Sequence, residues 1–357
     1  MADGTTPDLA RVERGLTYPQ AALPGTGEAI EVAQGVYWLR FSLPMALDHI
    51  NVYAIADGDR WVVVDAGLHT PETCAGWEEA LAGALGNLPV GRVVVTHMHP
   101  DHLGAAGWLC SRYNAPLLMS RLEYLSAHFY VAEDKAPPSV EAETFFRAAG
   151  WTSEDIERWK ARRGRFSRIM SPVPQQYIRL KDADELTIGG RIWTVVVGEG
   201  HSPEHVCLWR KDDDTFIAGD QILPKISSNI GVWDSEPLAN PLDEWLNSLE
   251  ALKARLPENL LVLPSHGEPF YGVTARLEAL IRGHHVGLKR LERSLKQPCR
   301  AVDVFGALFA RSIGPEVLGM ATAESLAHLN YLEAQGRAVR RRDADGVDWW
   351  TIMEGIR

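Results

Sequence analysis

The segment "VVVTHMHPDHLGAAG" places three histidines and one aspartate within six positions, directly after a run of valines. Imidazole and carboxylate groups at this density are typical ligands for zinc and comparable first-row metal ions, whereas the alternative is a solvated turn with surface histidines. Alternate residues of an extended segment point to the same side, so we expect His97, His99 and Asp101 to share a face. His102 is expected to turn toward a second centre. The segment therefore predicts a metal site at the end of a buried strand.

Three later predicted strands each end in another residue that can bind a metal ion. They are His201 in "VVVGEGHSPEH", Asp220 in "TFIAGDQIL" and His266 in "LVLPSHGEP". Any one of them alone would be typical of an ordinary polar loop residue. Three such residues at strand ends, where loops converge in layered α/β folds, indicate that they complete the same site.

Length and composition favour a soluble globular protein. The chain has 357 residues, 46% of them hydrophobic and 23% charged, which predicts two domains or one large domain with an appendage. A net charge of -11 disfavours nucleic-acid and membrane partners. The polar start "MADGTTPDLARVERG" and the lack of a long apolar run predict a cytoplasmic location. The four cysteines are far apart, and we expect them to be free thiols.

The order of predicted elements indicates a sheet covered by helices. Residues 30–67 are expected to form strands with a hairpin turn at "DGD", and "PETCAGWEEALAGAL" is expected to form an amphipathic helix. "SVEAETFFRAAG" and "TSEDIERWKARRG" also predict helices, the second beginning with a Thr152-x-x-Asp155 capping pattern. Strands then resume, and a long helix is predicted over about 273–296.

These patterns divide the chain into three predicted parts. Residues 1–29 are expected to form an N-terminal extension, and residues 30–296 a catalytic domain with a helical insertion at 121–172. Residues 297–357 predict a small helical domain that ends in a β-hairpin around an Asp-Gly turn.

Residues 30–285 resemble the metallo-β-lactamase fold superfamily. The resemblance rests on Asp65, on the motif His97-x-His99-x-Asp101-His102, and on His201, Asp220 and His266. It implies an α/β fold, a four-layer αββα sandwich, with a two-metal site along one edge. It also implies that residues 297–357 are the winged-helix-like C-terminal domain found in one branch of the superfamily.

The same resemblance implies roles for individual residues. His97, His99 and His201 would bind the first metal ion. Asp101, His102 and His266 would bind the second, and Asp220 would bridge both. Two divalent ions are implied, with zinc expected and iron or manganese as alternatives. Asp65 and His205 would orient ligands; a turn aspartate and a loop histidine are the alternatives.

The implied chemistry is hydrolysis by a hydroxide that bridges two metal ions, with Asp101 and Asp220 as catalytic ligands. The β-lactamases proper lack an aspartate at the position of Asp220. The chain therefore resembles glyoxalase II, thioesterases and lactonases, and we expect it to cleave an ester, thioester or lactone in a small molecule. One alternative is a single-strand nucleic-acid endonuclease, suggested by the C-terminal domain and the basic run "GRAVRRR". Another is a persulfide dioxygenase with a single iron.

Four residues are candidates for contact with the substrate. Tyr124 and Phe129 lie in the aromatic helical insertion, where they are expected either to wall the substrate or to pack. Lys225 and Asn229 follow Asp220 and would either contact an anionic group or face solvent. The expected partner is a small molecule, and a homodimer is compatible with the sequence.

Overall fold

The computed structural model describes residues 11–20, 22–45 and 47–353. Residues 1–10 and 21 of the predicted N-terminal extension lie outside this description, as do Ala46 and residues 354–357 at the end of the predicted C-terminal domain.

The first half of the chain forms a short hairpin and then a seven-stranded sheet. Neighbouring strands are antiparallel through the first four of the seven, and the last four run parallel. The hairpin is β1 (Arg11–Glu13) and β2 (Leu16–Tyr18); the sheet is β3 (Ile30–Ala33), β4 (Val36–Ser42), β5 (His49–Asp57), β6 (Arg60–Val64), β7 (Val90–Val94), β8 (Leu117–Ser120) and β9 (Tyr177–Leu180).

The second half forms a five-stranded sheet in sequence order. Its strands are antiparallel except for the last pair, which is parallel. They are β10 (Glu185–Ile188), β11 (Arg191–Gly198), β12 (His205–Arg210), β13 (Thr215–Gly219) and β14 (Leu261–Pro264).

The helices lie outside the two sheets or in the C-terminal region. They are α1 (Pro71–Ala82), α2 (Pro100–Leu103), α3 (Ala106–Tyr113), α4 (Arg121–Lys135), α5 (Val140–Ala148), α6 (Ser153–Lys160), α7 (Pro241–Arg255), α8 (Val273–Ser294), α9 (Phe305–Leu308) and α10 (Leu318–Ala334). A C-terminal hairpin of β15 (Ala338–Arg342) and β16 (Asp348–Ile352) follows α10. In the part of the chain that the structure describes, no helix is long and apolar enough to cross a membrane.

Three apolar clusters define the layers of the fold. The middle cluster joins the inner faces of the two sheets and includes Trp38 and Tyr53 from the first and Trp193 from the second. A second cluster packs helices such as α1 and α3 onto the outer face of the first sheet, with Trp77 at its centre. A third packs α7, α8 and the C-terminal region onto the second sheet around Trp245. Two sheets with helices on both outer faces form the predicted αββα sandwich.

Most predicted elements are present, and one local prediction is wrong. The hairpin between β5 and β6, the long helix α8 and the capping box of Thr152 and Asp155 are confirmed. The extended segment that was to place His97, His99 and Asp101 on one face is not a strand. Strand β7 ends at Val94 and Asp101 lies in helix α2, so the chain has already turned between the two histidines and the aspartate.

Candidate metal centre

The predicted ligands come together because they follow strands that end at one edge of the sandwich. Asp220 comes directly after β13, His266 two residues after β14 and His201 three residues after β11. His97 follows β7 by three residues. The strands hold the backbone, and short loops bring the side chains to a common point.

The first cluster contains His97, His99, His201 and Asp220, whose ligand atoms all lie within 4.8 Å of one another. The Nε2 of His97 is 2.8 Å from Nδ1 of His99 and 3.3 Å from Nε2 of His201. Three imidazole nitrogens that face one another this closely cannot all hold protons there. They are suited to be the donor set of a metal ion.

The second cluster contains Asp101, His102 and His266. The Oδ2 of Asp101 is 3.7 Å from Nε2 of His102 and 3.4 Å from Nε2 of His266. This set mixes carboxylate and imidazole, which suits zinc and related divalent ions.

Asp220 lies between the clusters and gives one carboxylate oxygen to each. Its Oδ2 is 3.4 Å from Nε2 of His201, whereas its Oδ1 is 3.6 Å from Nε2 of His102 and 3.4 Å from Nε2 of His266. Among the residues that the structure describes, the Oδ1 of Asp220 and both of those nitrogens are buried without a hydrogen-bond partner. Buried polar atoms normally have partners, so these unpaired atoms fit metal ions as their partners.

Other residues fix the orientation of the histidine ligands. The Nδ1 of His102 donates to Oδ2 of Asp65 at 2.7 Å, and the Nδ1 of His201 lies 2.8 Å from the carbonyl oxygen of Asn229. The Nδ1 of His266 likewise lies 2.7 Å from the carbonyl oxygen of His49. Each of these hydrogen bonds leaves Nε2 free to bind a metal ion, which is the usual arrangement around metal-binding histidines.

Asp65 and His205 lie where the resemblance implied, beside the ligands. Asp65 accepts hydrogen bonds from the backbone and the hydroxyl of Thr96 as well as from His102. Its φ is 61°, an uncommon backbone conformation that here turns the carboxylate into the site. The Nε2 of His205 accepts the backbone N–H of Asp220 at 3.0 Å, which fixes the start of the loop that carries the bridging carboxylate.

The close approach of His205 depends on Gly219. The φ of Gly219 is 54°, and a Cβ on this residue would lie 2.4 Å from Cε1 of His205. Any larger residue would displace the imidazole or the chain next to Asp220. Glycine is therefore required by space as well as by backbone conformation.

Burial and charge put His97, His99 and Asp101 in the protonation states that metal binding needs, whereas the neighbouring carboxylates raise the pKa values of His102 and His266. Burial, together with the neighbouring imidazoles, holds the pKa of His97 well below its ordinary value and lowers that of His99 to about 3. Both rings are therefore neutral at physiological pH. Burial opposes ionisation of Asp101, but His102 and His266 outweigh it and lower the pKa of Asp101 to about 2. Neutral imidazoles and an ionised carboxylate are the forms that bind metals.

Three supporting residues were not predicted from the sequence. The hydroxyl of Thr96 lies 3.0 Å from Nδ1 of His97 and also donates to Asp65. His49 offers its carbonyl to His266. The fully buried Glu123 accepts the backbone N–H groups of Met98 and Glu204, and so links the two loops that carry first-cluster histidines. Thr96 lies next to His97 in the predicted metal-binding segment, and Glu123 lies next to Tyr124 in the predicted helical insertion.

The four predicted substrate residues lie in different environments in the structure. Tyr124 is buried, stacks on Tyr177 with 3.9 Å between ring centroids, and donates its hydroxyl hydrogen to the carbonyl of Pro174. Phe129 is 47% exposed. Lys225 faces the N-terminal hairpin, where its Nζ is 3.8 Å from a carboxylate oxygen of Glu13. The side chain of Asn229 donates to Glu324. Substrate contact by these four residues stays a prediction.

The basic run near the C-terminus is largely paired with acids. Arg342 and Arg340 contact Asp348 at 2.7 and 3.9 Å, and Arg337 contacts Glu292 at 2.7 Å. These pairs neutralise most of the charge that phosphate binding would need.

Comparison with known proteins places this geometry in a family. Residues 45–266 match the model described as the metallo-beta-lactamase superfamily, and residues 288–353 match the metallo-beta-lactamase-like C-terminal domain. The crystal structure of a beta-lactamase domain protein from Burkholderia ambifaria is similar, with a TM-score of 0.88 and 37% identity over 95% of this chain and 98% of that one.

Curated relatives extend the similarity to named hydrolases. The probable metallo-hydrolase YqjP of Bacillus subtilis is 24% identical over 85% of this chain and 93% of its own length. The acyl-coenzyme A thioesterase MBLAC2 of Gallus gallus is 25% identical over 67% of this chain and 80% of its own.

The chain belongs to the metallo-β-lactamase superfamily, as the sequence motifs predicted. It is a metal-dependent hydrolase, and its histidine and aspartate clusters are suited to divalent metal ions.

Proposed function

We propose that this hydrolase holds two divalent metal ions, with zinc expected, and cleaves a thioester, ester or lactone bond in a small molecule. One observation carries the proposal. The two carboxylate oxygens of Asp220 face different clusters, each of which also has three ligands of its own. A single ion, as in the persulfide dioxygenase alternative, would leave Asp101, His102 and His266 without a function.

The chemistry follows from what such a centre supplies. When bound, two divalent ions lower the pKa of a water molecule and polarise the carbonyl that it attacks. The residues of the chain hold this centre in place. His97, His99 and His201 form one side, Asp101, His102 and His266 form the other, and Asp220 fixes the spacing between them.

Thioesters are the favoured substrate class. A thiolate leaves without needing a proton from a general acid, so an activated carbonyl suits a site built from metal ligands. Relatives named as acyl-coenzyme A thioesterases support the same class.

A basic surface segment beside the site would suit an anionic leaving group. Arg165 and Arg168 are exposed in the segment that follows α6. This segment then runs past helix α2, which carries Asp101 and His102. There Ser171 donates its backbone N–H to the carbonyl of Gly104 at 2.7 Å. Gly104 is two residues from the ligand His102. We infer that the two exposed arginines could meet the phosphates of a coenzyme A thioester bound at the proposed centre.

The exposed Phe129 on α4 is the better candidate for an apolar wall, since Tyr124 is already packed. Lys225 stays a candidate for an anionic contact, although it lies near Glu13. Asn229 instead acts within the protein, through its carbonyl oxygen and its amide.

The test is a hydrolase panel on metal-replete protein, with thioesters, oxygen esters, lactones and phosphodiesters at neutral pH. We expect turnover of thioesters or lactones, and loss of that turnover in Asp220→Asn. Cleavage of phosphodiesters alone would favour the endonuclease alternative. Activity that remains in Asp220→Asn would come from a contaminant, because the substitution does not affect a contaminant.

A further inference from the structure

The loop that follows Asp220 is attached to the C-terminal region. Its residues 227–232 run along helix α10, where the backbone N–H of Val232 donates to the carbonyl of Ala323 at 3.0 Å. At Gly231 a Cβ would lie 3.0 Å from Cβ of Ala323, so the loop and the helix are already as close as side chains allow. The hydroxyl of Ser227 is 3.2 Å from Nε2 of His284 on α8.

Asn229 connects this attached loop to the metal centre. Its carbonyl oxygen accepts the Nδ1 hydrogen of His201 at 2.8 Å, and its side-chain amide donates to Oε2 of Glu324 at 2.9 Å. Nδ2 is also 3.4 Å from the carbonyl of Met320. Helix α10 thus holds the side chain of Asn229, while the backbone carbonyl of Asn229 orients the ligand His201.

Glu324 is an unusual residue for a packing position. It is half-buried on α10, and within the described residues it forms no ion pair, although other acids of the chain do. Burying a carboxylate without a cation costs free energy, and an apolar side chain would pack at lower cost. The hydrogen bond that Asn229 donates to Glu324 accounts for a carboxylate at this position.

Two readings of this contact differ in what they predict. If Glu324 serves only to attach α10 to the loop, any change at this position should alter stability alone. If it fixes the Asn229 carbonyl, its loss should loosen the imidazole of His201. A ligand whose supporting hydrogen bond is lost typically binds its metal 10 to 100 times more weakly, as a rough guide.

We propose that Glu324 is a positioning residue for the metal ligand His201, and that it acts through Asn229. The C-terminal region would thereby contribute to the metal centre without supplying a ligand. This rests on the proposed function only in requiring that His201 bind a metal ion.

The experiment compares four variants of the full chain. Glu324→Ala removes the acceptor, and Glu324→Gln keeps an acceptor oxygen for the Asn229 amide. Asn229→Ala removes the amide but keeps the carbonyl, and Glu333→Ala is the control elsewhere on the same helix, where Glu333 pairs with Arg340. The affinity for zinc is measured by competition with a chelator. The ring of His201 is followed by nitrogen NMR in the metal-free protein.

We expect Glu324→Ala and Asn229→Ala to weaken one zinc equivalent about tenfold or more and to leave the other nearly unchanged. The NMR signal of the His201 Nδ1 hydrogen should broaden or exchange faster in both variants. Glu324→Gln and Glu333→Ala should behave like the wild type.

Wild-type affinity and an unchanged His201 signal in Glu324→Ala would overturn the proposal. If that variant does not fold, Asn229→Ala decides by the same two measurements. Equal weakening in Glu333→Ala would show that the effect is a general loss of stability. Failure of the wild type to bind zinc would instead count against the proposed function.

Discussion

The Nδ1 of His102 lies 2.7 Å from a carboxylate oxygen of Asp65, and neither residue is more than 2% exposed. A buried carboxylate beside a ligand imidazole fixes the tautomer of the ring and increases its basicity. The pair therefore connects the end of β6 to the second cluster.

Replacing Asp65 with asparagine should weaken metal binding without disturbing the fold. Asparagine tolerates the left-handed φ of this position, so the variant removes the charge and little else. We expect affinity for one of the two ions to fall by about 10 to 100 times, measured by chelator competition. Asp57→Asn is the control, since Asp57 contacts Arg92 at the other end of the strands. Unchanged affinity in Asp65→Asn would show that the charge is not needed.

Asp220→Asn should nearly abolish turnover while the protein stays folded. Asparagine keeps the shape of the bridge but loses the charge between the clusters. We expect kcat to fall by more than about 100-fold, since losing a mere supporting residue already costs up to that much. Circular dichroism and metal content are measured in parallel. Normal activity together with normal metal content would show that Asp220 does not bridge.

Phe129 and Tyr124 should respond differently to truncation. Tyr124→Ala removes a buried ring stacked on Tyr177 and should lower stability by about 3 kcal/mol, measured by denaturant unfolding. Phe129→Ala removes an exposed ring and should leave stability unchanged. It should instead change the ratio of kcat/KM between short and long acyl thioesters. An unchanged ratio would remove Phe129 from the proposed substrate wall.

Reversing the charges of Arg165 and Arg168 should affect only anionic substrates. In the double glutamate variant we expect KM for a coenzyme A thioester to rise about tenfold, because two exposed charge contacts are each worth up to about 1 kcal/mol. KM for an uncharged thioester should stay the same. Arg60→Glu is the control, at the opposite end of β6 from the site. Equal effects on both substrates would argue against phosphate contact.

Glu324 should make stability depend on pH. Burial raises its pKa to about 7, against the opposing hydrogen bond from Asn229. The unfolded chain ionises this group at its lower ordinary pKa, so stability falls as pH rises from that value through the folded pKa. Between about pH 5 and about pH 8 the Tm of Glu324→Gln should therefore fall less than that of the wild type. Parallel curves for the two proteins would contradict this.

The ligand set was predictable because it depends on residue type and strand ends. His201, Asp220 and His266 each follow a strongly apolar strand, and such strands are visible in one sequence. Strands β8 and β9 were not predicted, because each has only four residues and neither leads to a candidate ligand, as the equally short β14 leads to His266. A period of two cannot be recognised over so few positions.

The supporting contacts were less predictable, for a different reason. The carbonyls of His49 and Asn229 act through the backbone, and any residue type can supply a carbonyl. Glu123 contributes through burial, which only the packing of α4 reveals. The error at Asp101 has the same origin: the turn after Val94 is set by tertiary contacts and not by alternation along the chain.

The most direct test is the number of metal ions per chain, measured by elemental analysis of protein purified without chelator. The two clusters joined by Asp220 predict about two equivalents. They also predict that His102→Ala retains about one equivalent and loses most of its hydrolase activity. A reproducible single equivalent in the wild type, with occupancy and activity unaffected by His102→Ala, would contradict the two-metal centre.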